Sequence, residues 1–347
     1  MGIDEKIVIS VVIPVRNEEK YIASCLDGVS DWGIPLDELE VIIVDGCSND
    51  STVEILKAYS NLLPNFTILN NALKTVPNAM NYGISMARGR YIARMDAHAK
   101  YPRNYLSDLL LFSEKLHADN IGGVLKTLPH DSGLIPTLIA NFMSSAFGVG
   151  DSSFRVGITS EFVLADTVPF GFFKKEIFDR IGFYDLSLIR NQDDELNARI
   201  TNSGGKIYLL RDVIIEYYTR DSMFKFSSML YQYGLFKPLV VKKVKKLTSL
   251  RQLVPLLFLW YLVMAPFGVI QCGLSPILVI SPLILYAFMS SLFYINAGGL
   301  LRRVPLFVLV CFIGHISYGY GYFVGIFKVV IQDWGNAPPS IDSKLTR

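Results

Sequence analysis

The sequence predicts an α/β protein, a doubly wound and mostly parallel sheet over residues 1–221, followed by C-terminal transmembrane helices. Three observations lead there. Apolar, β-rich runs alternate with helical segments through the first part of the chain, the order that gives parallel strands joined by crossover helices. Polar stretches follow those runs directly, where open α/β sheets bind their ligands. Between Ser222 and Gln332 there is no Asp or Glu, in a chain that is 51% hydrophobic with a mean hydropathy of +0.36.

The charge supports the division. The 347 residues sum to a net +2, but residues 1–221 hold 29 of the 31 acidic and 21 of the 33 basic side chains, a net −8. Residues 222–347 hold 12 basic and 2 acidic, a net +10. Disorder is excluded by the hydrophobic content, and a basic region with so few acids suits a membrane surface, not nucleic acid. Cys25, Cys47, Cys272 and Cys311 lie far apart with no CxxC pair, so neither a zinc site nor a disulfide framework is expected, and a reducing cytosolic face fits. The opening MGIDEKIVIS has no basic and apolar leader, and Lys6 stands where a myristoylation signal takes Ser or Thr.

Taken in order, Ile7 to Ile13 is an apolar strand stopped by Pro14, and Val41 to Val44 a second, stopped by Asp45-Gly46. Ser51 and Glu54 have capping-box spacing ahead of the next helix. Strands follow at Phe66 to Leu69, Tyr91 to Met95 and Ile121 to Leu125. Helices lie between them around Asn78 to Ala87 and Pro102 to Leu116, with Pro102 placed as a first helical residue. A further helix runs from the carboxylate cluster at 193–195 towards Ile200.

The polar stretches after the strands carry the chemistry. They are Pro14-Val15-Arg16-Asn17-Glu18-Glu19, Asp45-Gly46-Cys47-Ser48-Asn49-Asp50 and Asp96-Ala97-His98. No GxGxxG and no GxxxxGK[ST] is present where it would cradle phosphates, so a nucleotide here needs another device. Asp96 and His98 can turn a carboxylate and an imidazole to one Mn²⁺ or Mg²⁺ whose shell phosphate oxygens complete, or they are a strand-end cap and a loop residue. Asp193, Asp194 and Glu195 either satisfy a helix dipole or include a general base whose pKa repulsion and burial raise.

Together VVIPVRNEEKYI, VIIVDGCSNDST, AMNYGISMARGRYIARMDAH and FGFFKKEIFDRIGFYDLSLIRNQDDELNARI resemble the inverting family 2 glycosyltransferases of the nucleotide-diphospho-sugar transferase (GT-A) fold. The resemblance spans about residues 7–220 and is most like the bacterial succinoglycan-type exopolysaccharide glucosyltransferases. It implies that Pro14, Arg16, Asn17 and Glu18 wall the nucleotide pocket and that Asp45 hydrogen-bonds the base, normally uracil. Asn78 and Asn81 lie near the ribose and diphosphate, with Asp50 a helix cap and Arg94 within reach of phosphate. Asp96 and His98 occupy the family's DxD metal motif, leaving open whether His98 ligates or Asp96 acts alone. Asp193 is the implied base, and Gln192, standing where a Glu is usual, should lower its pKa. Phe170, Gly171, Gln192 and Asp194 fall on the acceptor side. The QxxRW motif of processive synthases is replaced by Gln232-Tyr233-Gly234-Leu235-Phe236, which argues for single-sugar addition.

In the tail, residues 222–251 read as a basic amphipathic interfacial segment carrying Lys237, Lys242, Lys243, Lys245, Lys246 and Arg251. Spans are expected near 253–272, 275–295 and 304–327, followed by a tail at 331–347. The basic residues put the catalytic domain on the cytoplasmic side, and the resemblance implies that the membrane is a bacterial inner membrane. His315 reads as hydrogen-bonded between helices. The expected activity is metal-dependent addition of one sugar, glucose from UDP-glucose, to a polyprenyl-diphosphate-linked saccharide in exopolysaccharide biosynthesis. Other assembly enzymes or a second copy of the chain are further implied partners. The alternatives are a polyprenyl-phosphate sugar synthase and a non-catalytic sugar-nucleotide-binding subunit of an export complex.

Overall fold

The computed structural model describes residues 6–247, 249–332 and 334; the N-terminal Met1-Gly2 and most of the 331–347 tail lie outside these. The chain forms two compact units, one made of residues 6–126 and 157–217 and the other of 127–156 and 218–334.

The first unit is built on strands β1 (Ile9–Val15), β2 (Leu39–Asp45), β3 (Phe66–Asn70), β4 (Tyr91–Arg94), β5 (Ala99–Lys100), β6 (Asn120–Leu128), β7 (Phe162–Leu164), β8 (Phe172–Lys174) and β9 (Ile207–Tyr218). Among the described residues they run in the order β3-β2-β1-β4-β8-β6-β9-β5, with β7 on β9. The half around β1 is parallel, as the buried apolar runs of β1 and β2 require: Val12 registers with Ile42 on β2 and Arg94 on β4. From β4 onwards the pairings β4–β8, β6–β8, β7–β9 and β5–β9 are antiparallel, so the sheet is mixed. β5, β7 and β8 are only two or three residues long, too short for an alternation to announce them. Under the β1–β2 side the buried Glu40 is satisfied by the Ser10 hydroxyl at 2.5 Å and by the Arg88 Nε at 2.7 Å.

Helices α1 (Ile22–Asp27), α2 (Thr52–Tyr59), α3 (Val76–Met86) and α4 (Tyr105–Leu116) belong to this unit. Two local expectations are corrected. The Ser51 side chain makes no cap bond; one residue earlier, Asp50 Oδ1 accepts from Thr52 N at 3.0 Å and Thr52 Oγ1 at 2.6 Å, so the first-turn N–H satisfied by a side chain is that of Thr52. Pro102 stands outside α4, which starts at Tyr105 after a left-handed Asn104 with φ 61°.

The second unit opens with a segment between β6 and β7 that carries α5 (Leu134–Met143), α6 (Ala146–Val149) and α7 (Ser153–Val156). After it the chain returns to the sheet unit for α8 (Glu176–Ile181) and α9 (Gln192–Asn202), before α10 (Met223–Val244), α11 (Val254–Cys272), α12 (Pro276–Asn296) and α13 (Val304–Ile331) complete the helical unit. Three stretches, Leu250–Cys272, Pro276–Asn296 and Leu301–Ile331, are long and apolar enough to span a bilayer. Leu239 and Val240 of α10 are fully buried inside the protein, so they are not available to lie in lipid. α10 and α13 approach to backbone contact. A Cβ at Gly234 would stand 2.0 Å from the Tyr318 carbonyl oxygen, and one at Gly321 2.1 Å from that of Tyr231. The apolar face of α5, Leu138, Ile139, Phe142 and Met143, is buried with Phe226 and Leu230 of α10 and Phe307 and Val310 of α13. His315 Nε2 donates to the Gly148 carbonyl at 3.3 Å, which leaves Nδ1 to accept from the Tyr286 hydroxyl at 2.8 Å.

Candidate active site

The carboxyl ends of β1, β2 and β4 are where the sheet's parallel half presents side chains to a ligand. The loops after β1 and β2 are laced together. Asn17, left-handed at φ 56°, donates its N–H to Ser48 Oγ at 2.9 Å and accepts from Asn49 N at 2.9 Å. Glu18 N donates to Thr52 Oγ1 at 2.8 Å. Asp45, buried at the end of β2, accepts from the Ser48 hydroxyl at 2.5 Å and the Ser48 N–H at 3.1 Å, which fixes its carboxylate plane. Pro14 and Arg16 are half-buried beside this turn.

Of the two asparagines of α3, one meets a side-chain hydroxyl and the other backbone. Asn78 Nδ2 donates to Thr75 Oγ1 at 2.7 Å, and Asn81 exchanges both amide bonds with Tyr184, donating to its carbonyl at 2.8 Å and accepting from its N–H at 2.9 Å. Asn81 therefore anchors the chain ahead of α9 to α3.

At the end of β4 sits Arg94, 5% exposed. Its guanidinium pairs with Asp193 Oδ1 on α9 and lies 3.5 Å from Asp96 Oδ1, so one cation joins the residue expected as base to the carboxylate expected on the metal. Burial works against its charge, and Asp193 and Asp96 more than offset this, holding Arg94 protonated well above the ordinary arginine range. Its guanidinium stands over the Phe170 ring at 6.0 Å, and the Arg94 backbone N–H donates to the Gly171 carbonyl at 3.0 Å. A Cβ at Gly171 would stand 2.3 Å from the Phe173 ring, so this turn takes only glycine.

For Asp193, burial pushes the carboxyl up, Arg94 opposes, and Asp96 and Asp194 add to the rise. The net shift is upward, with burial the first cause; Gln192, being neutral, adds no charge to it. Gln192 is buried at the start of α9, after a left-handed Asn191, and Asp194 is half-buried next to it. Glu195 is bound to Arg199 at 2.7 and 2.8 Å, which makes it a structural carboxylate.

His98 Nδ1 lies 3.6 Å from Oε1 of the fully buried Glu18. Asp96 and His98 supply one carboxylate and one imidazole, and among the described residues no third His, Cys, Asp or Glu completes a protein cage. That donor set fits a divalent ion shared with diphosphate oxygens, which takes few protein ligands. The concentration of carboxylates is felt at Cys25, whose thiol is pushed up to about 12 by burial first and by Asp96 and Glu18 next.

Two residues here carried no sequence signal. Tyr101 accepts the Asp96 N–H at 2.7 Å and so fixes the backbone of the motif. The Tyr184 hydroxyl is buried without a hydrogen-bond partner in the described residues, and burial and Asp193 both resist its ionisation. A lone Tyr in a loop has no periodicity to mark it.

Residues 10–179 match the family model for Glycosyl transferase family 2. The dolichyl N-acetyl-alpha-D-glucosaminyl phosphate 3-beta-D-2,3-diacetamido-2,3-dideoxy-beta-D-glucuronosyltransferase of Methanococcus voltae is 27% identical over 332 residues, covering 92% of this chain and 97% of that protein. The succinoglycan biosynthesis protein ExoA of Rhizobium meliloti is 27% identical over 248 residues, covering 71% and 74%. Among solved structures, the mannosyltransferase PcManGT from Pyrobaculum calidifontis, in complex with GDP-Man and Mn²⁺, superimposes with a TM-score of 0.63 at 15% identity, covering 91% and 86%. That likeness is one of fold.

Proposed function

From a chain that carries a family 2 glycosyl transferase domain and is related to transferases of exopolysaccharide and lipid-linked saccharides, we propose an inverting, membrane-anchored enzyme that adds one sugar to a lipid-linked saccharide. The donor is a nucleoside-diphosphate sugar, UDP-glucose being the first to test, and the acceptor a hydroxyl of a sugar on polyprenyl diphosphate. The apolar helices anchor it, with the catalytic residues on the cytoplasmic face of the membrane. The acceptor class is supported by the Methanococcus voltae relative, whose name describes transfer to a sugar on a dolichyl phosphate.

One observation carries the reading: Arg94 pairs simultaneously with Asp193 and Asp96. Asp45 and the loop at Asn17 and Glu18 receive the nucleoside. Arg94 keeps Asp193 aimed and ionised until the acceptor arrives. Asp193 then takes the hydroxyl proton as the acceptor oxygen bonds the anomeric carbon, on the face opposite the diphosphate. The bond from that carbon to the diphosphate oxygen breaks, its electron pair leaves with the nucleoside diphosphate, and configuration inverts. A divalent ion held by Asp96 and His98 would neutralise charge on that leaving group.

The full-length chain in lipid nanodiscs, given labelled UDP-sugars or GDP-sugars and a lipid-linked sugar, should lengthen the lipid-linked product. Asp193→Asn should lower kcat by about 10²–10⁴-fold. Transfer undiminished in Asp193→Asn would overturn the base assignment, and product formed only on a lipid monophosphate would make the enzyme a polyprenyl-phosphate sugar synthase.

A further inference from the structure

A cavity of about 160 Å³ opens in the helical unit where α5 meets the turn between α12 and α13. Thr137 and Asn141 of α5 form one wall; Tyr294, Gly298, Gly299 and Arg303 form the other. The turn joins two candidate spans, so with both helices in a bilayer the cavity would lie at its surface. Exposed Leu300 and Leu301 stand on the same turn.

The charge in this cavity is uncompensated. Arg303 is half-buried, and among the described residues its guanidinium has no ion pair or hydrogen bond, nor has the Asn141 amide. The carboxylates of the unit are engaged elsewhere: Asp151 with Arg251, Asp221 with Lys225, and Asp131 with the Gly133 N–H. A half-buried guanidinium with no counter-charge and a free amide beside it form a site for an oxyanion. The two glycines leave the backbone bare, with Gly298 at φ +82°. The volume falls below the ~300–1,000 Å³ of pockets that enclose whole drug-sized ligands, which suits a headgroup whose chain remains outside.

We propose that this cavity binds the phosphate of a lipid headgroup, with the hydrocarbon chain leaving over Leu300 and Leu301. Two sources share that chemistry, a membrane phospholipid and a polyprenyl phosphate. The second would rest on the transferase reading and bring the acceptor to the protein; the first would not.

The test uses the full-length chain in neutral detergent, with lipid binding read by native mass spectrometry. The probes are phosphatidylglycerol, a short polyprenyl monophosphate, and diacylglycerol as the phosphate-free control. Arg303→Gln and Asn141→Asp should each weaken binding of a phosphate lipid by at least about 10-fold, as loss of a charge-assisted bond does. Diacylglycerol binding should not change. Arg302→Gln, an exposed neighbour outside the cavity lining, should change either affinity by under about 3-fold. A loss confined to the polyprenyl phosphate assigns the cavity to a polyprenyl carrier, and one confined to phosphatidylglycerol to a resident phospholipid. Equal losses in Arg302→Gln and Arg303→Gln, no loss in Arg303→Gln, or binding of inorganic phosphate without either lipid would overturn the proposal. Because binding is read without sugar transfer, a failed transferase assay leaves this result standing.

Discussion

Arg94 and Asp193 are 99 positions apart in the chain and share one hydrogen bond. The motif around each was legible, because strand-end carboxylates and a helix-start acid cluster are local patterns, but their pairing was not, since only the fold sets a long-range contact. The pairing gives a pH signature. Asp193 must be ionised to act as base, so kcat/KM should fall as pH drops through its raised pKa. Arg94 opposes that rise, so in Arg94→Gln the residual activity should have its acid limb displaced to higher pH; a pH–rate profile of both proteins checks the sign. A second residue-scale outcome concerns Glu18, which lies against the imidazole of His98. If it orients that ring, Glu18→Gln should weaken Mn²⁺ binding by about 10–100-fold, measured by calorimetry in the presence of UDP. Unchanged affinity would mean that Glu18 does not orient His98 for the ion.

The parallel strands and the three apolar helices were readable because each is a long, uniform run. In the antiparallel half β6 was expected, β7 and β8 escaped because each is three residues long, β9 because Arg211-Asp212 and Glu216 interrupt its apolar run, and α5 because ten apolar residues between loops are neither a span nor a clear period. Nor could composition separate an interfacial α10 from one packed on protein, since lipid and a helix face reward the same leucines. The contact between α10 and α13 depends on absent side chains. Gly321→Val should cost about 1–3 kcal/mol by forcing the helices apart, seen as a lower Tm in detergent. Phe323→Leu, at a half-exposed position of the same helix, should leave Tm within experimental scatter.

The sequence divides by charge near residue 221, but the compact units divide differently: residues 127–156 leave the sheet unit and belong with the helices. A chain ended at residue 221 would keep α5 and lose α10 and α13, exposing Leu138, Ile139, Phe142 and Met143. Each such side chain is worth about 1.5–3 kcal/mol when buried. Residues 1–221 alone should therefore elute as aggregates in size-exclusion chromatography, and Ile139→Ser with Phe142→Ser should restore a monomer peak. The same insertion governs how the protein is made. About 160 residues separate the end of α5 from the start of α13. At ~5–20 residues per second, the ribosome takes roughly 10–30 s to supply the partner. For that interval α5 can meet α10 but not α13, so its apolar face stays only partly covered until Phe307 and Val310 are made.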